Sequence, residues 1–169
     1  MTRSDKLLLI HDSPEAAVEA LDAIMASLGR RRVALRELDE DFTPLLADPG
    51  EPQVAVLSPA HDDWTACFTS FSPDQDWDLA EALAVGTEQP VAFVLVDDTL
   101  NVYAYRYFAD GVLQEELLPE ESVALGIDAD ALLERAARHG IPRSLVDDRV
   151  LGFGQRHLLV AYGMMNDER

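Results

Sequence analysis

Three strand-like runs, PVAFVLV (90–96), NVYAYRYF (101–108) and VLQEELL (112–118), follow one another with only DDTL and ADG between them. Links that short leave no room for a crossover helix, so neighbouring strands must run antiparallel. In the second link, Asp110 and Gly111 both tolerate positive φ and suit a tight hairpin. The expected product is a three-stranded antiparallel meander near 91–118. Further strand-like runs lie at Lys6 to Ile10, RVALREL (32–38), QVAVLSPA (53–60) and WTACFTSF (64–71), with one or two more in RVLGFGQRHLLVAYGMM (149–165).

Three segments carry helix signals instead. In the first, Ser13 can cap, Pro14 fits the first helical position and Glu15 suits the positive end of the dipole. Ala17, Leu21, Ile24 and Leu28 recur at helical spacing, and Gly29 can end the helix. In the second, Ser72 and Gln75 have capping-box spacing, Pro73 follows the cap, Trp77, Ala80, Leu83 and Ala84 form an apolar stripe, and Gly86 marks the end. The third opens at Asp128 and stops at Gly140, just before Pro142.

Three helices against eight or nine strands, with strands joined repeatedly by short turns, define an α+β class with a mainly antiparallel sheet. The breaker-rich stretch DEDFTPLLADPGEP (39–52) is the one connection that could separate parts. The 169 residues, 48% of them hydrophobic, therefore read as a single domain, or as two fused halves meeting near 39–52.

Charge narrows the function. The chain has 32 acidic and 13 basic residues, a formal charge of -19. Such a field repels nucleic acid and anionic membranes. One cysteine rules out an internal disulfide, and no Cys/His spacing suits structural zinc. The amino-terminal apolar run, Leu7 to Ile10, is too short for a signal core or a membrane span, so a cytoplasmic location is expected. Lys6 is the only lysine beside twelve arginines, a bias that fits a GC-rich bacterial genome.

Few residues look like chemistry. His61, Asp62 and Asp63 stand close to Cys67, and Asp97-Asp98 and Asp147-Asp148 add carboxylates that could join them around magnesium or calcium. Each aspartate pair also sits at an expected turn, where its side chain bonds nearby backbone. If residues 64–71 are extended, Trp64, Ala66 and Phe68 share one face and Cys67 the other, and the neighbouring carboxylates disfavour a thiolate. Tyr103, Tyr105 and Tyr107 fall on one strand face, where they could form a partner-binding platform, stack on single-stranded nucleic acid, or pack beneath a helix. Arg30, Arg31 and Arg32 suit the negative end of the first helix better than a phosphate site. His11, His139 and His157 are scattered. GFGQ (152–155) lacks the third glycine and following helix of a dinucleotide site, so no cofactor is implied.

The expectation is a non-catalytic protein-binding module that neutralises or sequesters another protein, a basic one complementing its charge. The alternative is a metal-dependent hydrolase built on His61, Asp62, Asp97, Asp98 and Asp147. A single-stranded nucleic-acid binder using the tyrosine ladder ranks below both, because the charge opposes it.

Overall fold

The computed structural model describes residues 4–38, 46, 52–97, 99–142 and 156–164. Within them the chain forms β1 (Ser4–Ile10), α1 (Pro14–Ser27), β2 (Arg30–Leu38), β3 (Gln53–Leu57), β4 (Thr65–Thr69), α2 (Pro73–Thr87), β5 (Val91–Asp97), β6 (Val102–Ala109), β7 (Val112–Leu117), α3 (Pro119–Leu125), α4 (Ala129–Arg138) and β8 (His157–Met164). The eight strands make one sheet in the order β2-β8-β3-β4-β1-β5-β6-β7. Every neighbouring pair is antiparallel, which makes this the α+β architecture expected. The meander β5-β6-β7 is present, and Asp110 (φ 55) and Gly111 (φ 74) form its second turn.

β1 lies between β4 and β5, and its Leu7, Leu8, Leu9 and Ile10 are all buried. An uninterrupted apolar run is what a strand covered on both faces requires. One face of the sheet carries Leu8, Ile10, Cys67, Phe93 and Phe108 against α1 and α2. The other carries Leu7, Leu9, Trp64, Ala66, Phe68, Tyr103 and Tyr105 against α4. Alternation along β4 and β6 thus sends successive side chains into different cores, separating Cys67 from Trp64.

The expected helix starts are in place. The Ser13 hydroxyl accepts from the Ala16 N–H, the Ser72 hydroxyl from the Gln75 N–H, and Asp128 from the Ala131 N–H. The Gln75 side chain does not complete a capping box; it reaches across to Gln53 instead. Three details differ from expectation. α2 continues through Gly86, where a side chain would meet open space, and turns only at Glu88 (φ 58). Its buried stripe holds Asp76 and Leu79, with Trp77 half-buried. And α3 is an additional helix, opened by Pro119 and by the Glu121 carboxylate accepting the Leu118 N–H. Asp98, Asp147, Asp148, GFGQ and nearly all of 39–52 lie outside the described residues.

Candidate functional site

The turn from β5 to β6 and the junction of α3 with α4 meet at one end of the sheet. Asp97 Oδ1 accepts the Leu100 N–H at 3.2 Å, and Asn101 takes a positive φ of 54, so the turn lifts Leu100 into solvent. Leu100 is 68% exposed. Opposite it, the buried Ser122 fastens α3 to β6: its hydroxyl accepts from the Tyr103 N–H at 3.0 Å and donates to Pro119 O at 2.7 Å. With Ser122 turned inward, Val123 faces outward at 60% exposed. Gly126 (φ 64) then ends α3 in the left-handed conformation, and Ile127 donates back to Ser122 O at 2.9 Å before Asp128 caps α4.

These elements enclose a cleft of about 460 Å³ whose walls include Leu100, Val123 and Ile127, with Tyr103 beneath and Asn101 and Asp128 as polar groups. From Thr99 to Glu134 the chain carries eight carboxylates and one basic residue, Arg106. Arg106 lies on the opposite sheet face. Its guanidinium sits 4.6 Å from the Trp77 ring centre, donates to Trp77 O and pairs with Glu116. Asp128 is the one charged residue among the described residues that line the cleft, which can therefore hold apolar groups and favour a positive charge beside them.

Tyr105 and Tyr107, the other members of the ladder, lie under α4. Tyr105 is fully buried, and its hydroxyl has no hydrogen-bond partner among the described residues. Burial, reinforced by the nearby Glu115, raises its pKa. Half-buried Tyr107 stacks against the His139 ring at 3.7 Å with 14° between planes. His139 Nε2 lies 2.8 Å from Glu115 Oε1, and Arg135 donates to Glu115 Oε2 at 2.8 Å. Glu115 thereby joins both ends of the last turn of α4 to β7. Tyr103 alone of the three contributes to the cleft.

The other polar candidates occupy turns. Asp62 (φ 52) and Asp63 (φ 69) form a two-residue turn that closes a bridge between His61 and Trp64, with backbone bonds of 2.8 and 2.9 Å. Aspartate suits such positions because it tolerates the left-handed region. His61 Nε2 is buried without a hydrogen-bond partner among the described residues, and His11 meets the Trp64 ring edge-on at 5.0 Å. Asp97 belongs to the turn below Leu100. Among the described residues no group of three or more His, Cys, Asp or Glu is placed to hold a metal ion. Cys67 is buried on the far face. Burial pushes its thiol pKa up, Asp76 pushes it further, and Lys6 partly opposes them. Arg30, Arg31 and Arg32 open β2, where Arg32 pairs with Asp22 of α1 at 3.3 Å.

One buried polar cluster escaped the sequence reading. Lys6 Nζ of β1 pairs with Asp76 of α2 and donates to the Thr69 hydroxyl of β4, which in turn bonds Asp76. Asp76 is 1% exposed. The signal was available: the chain's sole lysine directly precedes a four-residue apolar run. No protein family matches the chain, and no curated protein or solved structure matches it. No helix among the described residues is long and apolar enough to cross a membrane.

Proposed function

We propose that this protein is a non-catalytic binding module whose cleft between the β5–β6 turn and the α3–α4 junction receives a basic, partly apolar segment of another protein. The observation that carries this reading is the coincidence of exposed Leu100 and Val123 with Asp128 in one cleft that has no cationic residue among its described lining residues, within a segment of eight carboxylates and one arginine. Apolar contact would supply the affinity, while the carboxylates select cationic partners and speed their approach. A basic toxin or nuclease neutralised by capture is the kind of partner that fits.

Selection of displayed twelve-residue peptides against the protein tests this. Enriched peptides should combine Lys or Arg with two or three apolar residues, and their binding should weaken as salt rises. Leu100→Asp with Val123→Asp, both at exposed positions, should weaken the selected peptides at least tenfold. Peptides without basic enrichment, or binding unchanged in the double variant, would count against the cleft. The rival, a metal-dependent hydrolase, requires a convergent ligand set. Calorimetric titration with magnesium, manganese and calcium separates the two, since heat from any of them would favour the enzyme.

A further inference from the structure

At the opposite end of the sheet from β7, β2 forms a nine-residue edge that pairs only with β8 among the described residues. Its residues Arg31 to Glu37 are exposed without interruption, including Val33 (52%) and Leu35 (46%). A long edge with apolar residues on it is normally shortened, covered or interrupted, because its backbone groups can pair with any extended chain. β2 is not short, and among the described residues nothing covers it. It is instead strongly basic, with Arg30, Arg31, Arg32 and Arg36 against one acid, Glu37, in a chain of charge -19.

Pairing with β8 shifts register between Arg32 and Ala34, so Val33 occupies a bulge, where its side chain overhangs Gly163. Arg31 pairs with Gly163 and Arg36 with Leu159, which places both arginines on the same sheet face on either side of that bulge. Arg32, on the other face, is already engaged by Asp22. Arg31 and Arg36 remain as two exposed cations flanking Val33 along one edge.

From this arrangement we infer that β2 is a second docking site, taken by an extended acidic segment of another protein that adds to the sheet as a ninth strand. Backbone pairing supplies the attachment, and the arginines determine which strands may attach. A second copy docking through its own β2 would set arginine against arginine and bring two chains of charge -19 together. A strand with carboxylates at alternate positions meets the opposite condition: its acids face Arg31 and Arg36 while small apolar residues on its other side cover Leu35. This site is independent of the acidic cleft, which is built from the β5–β6 turn and the α3–α4 junction.

The test uses the full chain and a fluorescent ten-residue peptide with glutamate at every second position and valine or threonine between. Anisotropy should show saturable binding that falls about tenfold in the double variant Arg31→Glu, Arg36→Glu and is unchanged by Leu100→Asp with Val123→Asp. Amide exchange should slow in residues 30–38 on binding, and the same peptide N-methylated at alternate residues should lose its binding. Equal binding to the arginine variant, or to the N-methylated peptide, would overturn the inference. So would tighter binding of oligo-deoxythymidine than of the peptide, or a concentration-dependent dimer abolished by the arginine substitutions, since either result assigns the edge to a different occupant.

Discussion

Lys6 and Asp76 show how one ion pair can fix three elements. β1, β4 and α2 each contribute a member, and the pair lies against the core that holds Cys67. Burial raises the Asp76 pKa above the ordinary carboxylate value, and Lys6 and Thr69 only partly counter it. An acid with a raised folded-state pKa costs stability while it is ionised, and the cost disappears once pH falls below its unfolded value near 4. Lys6→Met removes the main opposing charge, so Asp76 should be raised further. Urea unfolding should show a loss of about 3–5 kcal/mol at pH 8, shrinking as pH is lowered from 8 toward 4. A deficit of the same size at every pH would show that Lys6 acts through packing alone. The sequence exposed Lys6 as a singular residue but gave no hint of Asp76, because partnership across seventy positions depends on strand order.

Among the elements, those with strong local chemistry were legible. α1, α2 and α4 begin at the expected caps because Ser13, Ser72 and Asp128 each satisfy a backbone donor that the helix leaves open. α3 is not legible in the sequence, although Pro119 and Glu121 are its signals, because seven residues with two acids show too little apolar period to separate from a loop. That omission concealed the candidate cleft, since α3 supplies Ser122 and Val123. The exposure of β2 was equally hidden: RVALREL alternates like a covered strand, and only strand order makes it an edge. α4 depends on its last turn, where Glu115 holds Arg135 and His139 and Tyr107 supports the imidazole ring. Glu115→Ala should therefore release α4 locally, speeding amide exchange across residues 129–138 by about tenfold while β1 and β5 stay protected. Equal acceleration in β1 would mean that the contact supports the entire fold rather than one helix.

Across the whole molecule, charge is distributed unevenly, with four arginines on the β2 edge and eight carboxylates between Thr99 and Glu134. Several arginines are already committed internally, Arg32 to Asp22, Arg106 to Glu116 and Arg135 to Glu115, so they offset individual acids without relieving the general repulsion. A compact chain of charge -19 holds its acids closer together than the unfolded chain does, and this self-repulsion opposes folding. Sodium chloride screens it: the Debye length falls from about 30 Å at 0.01 M to about 8 Å at 0.15 M. The melting temperature should therefore rise over that range, by roughly 2–4 °C if screening restores on the order of 1 kcal/mol. The buried Lys6–Asp76 pair is shielded from salt and should contribute little to the change. Arg31→Glu with Arg36→Glu takes the charge from -19 to -23, four units for two reversals, and should steepen the salt response while lowering stability at 0.01 M. A melting temperature that fell with salt would show that attractive surface pairs outweigh net repulsion. It would also weaken the case for electrostatic selection of partners at the cleft and at the β2 edge.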